Sequence, residues 1–190
     1  MHNIEPFYNW RHLYKAESDS KSPFFGRVYS EFEYSQKIYN FYIHPQWDFF
    51  GSETLYLKII CVDYQKEFAI IELIGEWNDA IENDIMFLKR ELIDLLIDEG
   101  IYKFVLIGEN VLNFHSSDNC YYEEWFDQVN EEGGWIIGLN FRQHVLTEME
   151  NESINRFIQF GKQFNDLPWR QFKPNHLVEG LEDLLMKRLS

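Results

Sequence analysis

The side chains of this chain that could do chemistry fall at the ends of apolar runs. Glu76 and Asp79 follow the run at residues 68–75, and Glu109, Asn110, His115 and Asp118 follow the run at residues 103–108. Ligands of open α/β sheets sit beyond the carboxyl ends of the strands, so Glu76, Glu109, Asn110, His115 and Asp118 form one candidate pocket. Carboxylates there suit a hard cation such as Mg²⁺. Caps and solvated loops use the same residue types, and no metal is assigned. Ser116 and Ser117 admit two roles: a helix N-cap whose hydroxyl accepts orphan N–H groups, or a modification and regulatory site. A serine nucleophile would need a base, an orienting acid and an oxyanion hole. His115 stands next to Ser116 in the chain, where side chains point apart, and the G-x-S-x-G elbow is absent. No catalytic residue is therefore assigned. No glycine-rich phosphate loop and no Cys-x-x-Cys occurs, so no cofactor is expected.

These residues need elements to position them. Residues 68–75, 103–108 and 135–141 are short apolar runs of the kind that form strands covered on both faces. Ile81, Ile85, Leu88, Leu92 and Leu95 recur at steps of three and four and predict a helix, with Asp79 and Glu82 as its capping pair and Gly100 as its stop. Tyr122, Trp125, Phe126 and Val129 predict a second helix, ended by Gly133 and Gly134. Both Gly75 and Gly108 read as strand ends. Alternation of this kind implies right-handed crossovers and parallel pairing.

Ahead of this core, residues 55–64 predict a strand with Leu55, Leu57, Ile59 and Cys61 on one face and Tyr56, Lys58, Ile60 and Val62 on the other. A short turn joins it as an antiparallel hairpin to the strand at Phe68. Residues 26–34 and 37–43 are predicted as two further strands, and residues 145–151 and 153–160 as helices. Asn175 is the expected cap of a last helix bearing Leu177, Leu181, Leu184 and Leu185. The fold class expected is α/β (α+β): a mixed sheet with an antiparallel N-terminal part, a β-α-β-α-β core and helices packed on it. One domain is expected over residues 1–190, comprising an aromatic-rich extension (1–54), a core (55–150) and a helical tail (151–190).

Composition narrows the partners. Lys and Arg number 17 against 32 Asp and Glu, a formal charge of −15, and no basic patch interrupts it, so nucleic acid is not an expected partner. Aromatic residues make up 18% of the chain, enough to bury a core. No apolar run approaches the roughly 20 residues of a membrane span. With two cysteines and no signal peptide, a cytoplasmic location is expected.

The passage Leu106-Ile-Gly-Glu-Asn-Val-Leu-Asn-Phe-His-Ser-Ser-Asp118 resembles the strand-to-helix passage of STAS domains, the family of anti-sigma factor antagonists that includes SpoIIAA-like proteins. An apolar strand there runs through a short loop with an apolar anchor, here Val111, into an Asp-Ser-Ser-Gly turn at a helix start. The element order from residue 55 onward is similar as well. The resemblance implies a sheet with helices on one face. It also implies a non-enzymatic regulatory or protein-binding module, with Ser117 where family members are phosphorylated by a partner kinase. His115 stands in place of the family's Asp and Asp118 in place of its Gly. The whole chain also resembles a bacterial family carrying the His44-Pro-Gln-Trp-Asp48 and Phe114-His-Ser-Ser117 segments, which brings no activity with it. A protein partner, with a homodimer among the options, is thus expected. The alternative is a small-ligand or metal-dependent enzyme using the acidic and histidine cluster.

Overall fold

Apolar residues at both parities give the strand β4 (Phe68–Asn78) two buried faces, and the sheet is built around it. The computed structural model describes residues 3–189. Four strands pair in the order β3-β4-β5-β6, with β3 (Leu55–Asp63), β5 (Lys103–His115) and β6 (Trp135–Leu139). β3 runs antiparallel to β4, and β5 and β6 run parallel to it. The mixed sheet and its β-α-β-α-β core are those expected from the sequence.

One face packs against the connecting helices through Leu57, Ile71, Leu88, Leu106 and Trp125. The other face carries Ile70, Val105 and Ile137, and is covered by Trp10 of the N-terminal arm, by Trp169, and by Leu177 and Leu181 of the last helix, α5 (Pro174–Leu189). Full burial of such a side chain contributes about 1.5–3 kcal/mol, so both coverings are integral to the sheet. Helices thus lie on both faces, where the family resemblance implied one.

Several sequence expectations are corrected here. β3 carries a bulge between Ile59 and Cys61. The extra residue turns Ile60 and Cys61 to one face and Val62 to the other, which breaks the simple alternation. Gly75 and Gly108 lie inside β4 and β5 rather than at their ends, because bulges let both strands bend and continue. Gly108 is required by close approach: a Cβ there would stand 2.4 Å from the ring of Phe141.

The first helix starts at Asp84, not at Asp79. It consists of α1 (Asp84–Leu88) and α2 (Asp94–Asp98), joined by a π-helical turn at Lys89–Ile93. The wider turn rotates the apolar stripe, so Leu92, Ile93 and Leu96 are buried while Leu95 faces outward; Ile81 is exposed because it lies in the turn before the helix. The second helix, α3 (Cys120–Glu131), buries Tyr122, Trp125 and Val129 as its spacing required.

Residues 26–34 form no strand. Val28 and Phe32 are 95% and 86% exposed, and with nothing to pack against, alternation alone does not make a sheet. Residues 37–43 reduce to a two-stranded ribbon of β1 (Lys37–Ile38) and β2 (Phe41–Tyr42). After α4 (Gln143–Asn151) the chain turns through Ser153 at φ 62° into a short 3-10 turn, Ile154–Arg156, in place of the helix expected at residues 153–160. Gln159 then pairs with β6, its N–H donating to Ile136 O and its carbonyl accepting from Gly138 N–H, both at 2.8 Å. α5 begins at Pro174, so Asn175 lies in its first turn rather than at its cap.

Candidate functional site

β5 outlasts its neighbour β6: the pairing ends at Ile107 with Leu139, yet the strand runs on to His115. Its free edge needs partners. Side chains at and inside the start of α4 supply them. Arg142 Nε donates to Glu109 O at 3.2 Å, His144 Nε2 donates to Leu112 O at 2.6 Å, and Phe114 N–H donates to Glu148 Oε2 at 3.2 Å. On its other edge His115 O accepts from Asp79 N–H (2.8 Å) and Ala80 N–H (3.3 Å). The strand end that leads into the Ser-Ser turn is thus fixed from both sides.

Beyond it the chain turns at the surface, tied back where Asn119 Nδ2 donates to Glu152 O at 3.2 Å. His115, Ser117 and Asp118 are exposed and Ser116 is half-buried. Helix α3 starts only at Cys120, with Asn119 at the cap position and no side-chain cap bond. The N-cap role for Ser116 or Ser117 is therefore corrected. Asp118 comes nearest to it, its Oδ1 accepting from Cys120 N–H at 3.1 Å, and contacts with the thiol and N–H of Cys120 hold its carboxyl below the usual range. Ser116 Oγ makes a long bond to Ser117 O at 3.3 Å. Both serines precede the helix by three residues or more, which leaves their hydroxyls uncommitted to its backbone.

The other members of the candidate pocket point to different neighbours. Glu76 accepts from Tyr39 OH at 2.8 Å and from Asn113 Nδ2 at 3.1 Å. Asn110 lies opposite Ile74 in the strand register and is half-buried. Glu109 is engaged on the tail-covered face. Its Oε1 accepts from Trp169 Nε1 (2.8 Å) and Asn140 Nδ2 (3.0 Å), and its Oε2 pairs with Arg170 Nη2 at 2.6 Å. Burial works to raise this carboxyl, but Arg170 and the two further donors outweigh it and hold it below the ordinary value. Among the described residues no group of three or more His, Cys, Asp or Glu could hold a metal ion.

Two buried carboxylate sites were not anticipated, one a single residue and one a pair. Glu72 is 1% exposed inside β4, accepts from Phe7 N–H at 2.8 Å and faces Arg170 at 3.7 Å. Burial pushes its carboxyl up to about 7, against the pull of Phe7 and Arg170. A lone carboxylate inside the run Phe-Ala-Ile-Ile-Glu-Leu-Ile was the available signal, since a buried charge demands a partner.

The second site, a pair of carboxylates, stands where β4 meets α1. Asp79 accepts from Tyr122 OH (2.6 Å), Ile85 N–H (2.8 Å) and Trp77 Nε1 (3.0 Å). Asp84 Oδ2 accepts from Asn78 N–H (2.7 Å) and Thr54 Oγ1 (3.2 Å), while its Oδ1 is buried with no partner. Burial raises Asp79 to about 7 and Asp84 to about 6. Asp79 does serve the helix start, as expected, but by reaching across a loop to Ile85.

No protein-family model matches the chain, and no curated protein matches it. Among solved structures, the crystal structure of a Thermotoga maritima protein assigned as an anti-sigma factor antagonist matches at 19% identity with a TM-score of 0.44, covering 67% of this chain and 91% of that one. An NMR structure of the same protein matches at 14% identity and a TM-score of 0.39, over 54% of this chain and 77% of that one. What the turn and the buried carboxylates do rests on this chain's own geometry.

Proposed function

We propose that the chain is a non-enzymatic regulatory module of STAS type that binds a protein partner through the rim around the Ser116–Ser117 turn, with Ser117 as the switching position. The single observation that supports this reading is the exposed turn between β5 and α3, whose serine hydroxyls are free of capping duty on a strand end fixed from both sides. A phosphate at Ser117 would gain little from the helix dipole, which fades within the first turn, and Asp118 beside it opposes the new charge. The modification would alter the surface offered to a partner, leaving the fold as it is.

The test is photo-crosslinking from the turn in the native cell, using full-length chain carrying a reactive residue at Asn119. A discrete partner adduct, kept with Ser117→Ala, lost with Ser117→Glu and indifferent to EDTA, supports the reading. Absence of any adduct, together with a melting temperature raised by Mg²⁺ and no longer raised in His115→Ala or Glu109→Ala, overturns it in favour of a metal-dependent site.

A further inference from the structure

The π-helical turn that moves Leu95 out of the core also shapes a groove. About 360 Å³ opens between α1–α2 and the 23–27 and 49–51 segments, with Phe49, Phe50, Phe87 and Leu95 as apolar walls and Arg27 and Glu91 at the margin. Its floor depends on Gly51, at φ 114°, where a Cβ would stand 2.5 Å from the ring of Phe87. Phe49 and Leu95 are 38% and 43% exposed, and Phe25 at 59% and Val28 at 95% extend the apolar surface along the adjoining segment. Exposed aliphatic and aromatic side chains grouped around a concavity mark a place where another molecule sits.

The charges name the occupant. Arg27 is committed: Nη1 donates to Asp48 Oδ1 and Nη2 to Phe49 O, both at 3.0 Å, with the guanidinium 4.3 Å from the ring of Phe24. Lys58 shares Asp48 at 3.0 Å and lies over the ring of Tyr29, with Glu17 close enough to act on it. The groove itself is lined by one cation, Arg27, already held by the buried Asp48, and by one carboxylate, Glu91. Glu91 is the exposed carboxylate on the helical wall and makes no ion pair among the described residues. A phenyl-lined groove edged by a carboxylate attracts a cation twice, through the ring faces and through the acid. A net charge of −15 repels a second copy of the chain and draws basic partners.

We propose that this groove docks a segment of a partner protein presenting a Lys or Arg flanked by apolar side chains, with Glu91 pairing the cation and Phe49, Phe87 and Leu95 taking the apolar neighbours. The proposal rests on the reading of the chain as a protein-binding module, and names a contact surface separate from the serine turn.

The experiment selects a displayed library of random 12-residue peptides on the full chain, then measures the enriched peptides by fluorescence anisotropy. Expected are sequences with Lys or Arg beside Leu, Phe or Trp, bound at least about tenfold more weakly by Glu91→Lys and by Leu95→Glu and weakened by added salt. Both side chains are exposed, so the variants keep the parent melting temperature. Acidic consensus sequences, peptides indifferent to both substitutions, or no enrichment overturn the proposal. So does a dimer in sedimentation that Leu95→Glu splits, which assigns the groove to a second copy. Peptides lost only with Ser117→Glu overturn the groove while retaining the protein-binding reading.

Discussion

The hydroxyl of Tyr122 on α3 donates to Oδ2 of Asp79, at the end of β4, across 2.6 Å in the buried core. This bond joins the second crossover helix to the strand that precedes the first. Its removal leaves a buried carboxyl with one donor fewer, which costs about 1–3 kcal/mol. Tyr122→Phe is expected to lower the urea unfolding midpoint accordingly, with the far-UV spectrum unchanged. An unaltered midpoint would mean that Asp79 draws nothing from this contact.

Glu72 makes stability depend on pH in a definite direction. Burial raises its carboxyl from 4.5 to about 7, so the native state keeps a proton that the unfolded chain releases. Stability from this group is complete below pH 4.5, falls as pH rises through the window to about 7, and is level above it. The full contribution is on the order of 3 kcal/mol. Glu72→Gln keeps an acceptor for Phe7 N–H and loses the titration. Its melting temperature is expected to match the parent near pH 5 and exceed it at pH 8, and a parallel pair of pH profiles would contradict this.

The π-helical turn predicts an inequality between two leucines on the same helix. Leu92 is buried and Leu95 is 43% exposed. Leu92→Ala is expected to cost about 2–5 kcal/mol and Leu95→Ala less than about 0.5 kcal/mol. Chemical denaturation of the two variants measures both. Equal losses would restore the regular α-helical stripe that the spacing at 81, 85, 88, 92 and 95 suggested.

Gly108 and Phe141 exclude a third atom between them. Gly108→Ala would place a methyl 2.4 Å from the Phe141 ring and is expected to destabilise by about 1–3 kcal/mol. In Gly108→Ala with Phe141→Ala the ring is gone, and the double variant should cost less than the sum of the singles. Simple additivity in a double-mutant cycle would locate the strain elsewhere.

The element order was legible because buried strands and amphipathic helices announce themselves locally, through runs such as residues 68–74 and spacings such as Tyr122, Trp125 and Val129. What stayed hidden depends on insertions of one residue. The bulge at Ile60 and the turn at Lys89–Ile93 shift a face by one position without any local mark in the sequence. The Ser-Ser turn was found at the sheet's rim, but its serines precede the helix rather than cap it, since Asp118 and Asn119 lie between. Glu109 was recognised as a polar group near a strand end. Its partners Asn140, Trp169 and Arg170 lie 31, 60 and 61 residues further on; the β5–β6 pairing brings the first to it and the tail's docking the other two.

The regulatory role turns on whether the exposed turn is modified. Peptide mass spectrometry of full-length chain recovered from its native cell, with phosphatase inhibited during lysis, reads this directly. A phosphate localised to Ser117 in a fraction of the molecules, absent in Ser117→Ala, is the expected result. Ser116 and Ser117 unmodified under every growth condition sampled would contradict the switch.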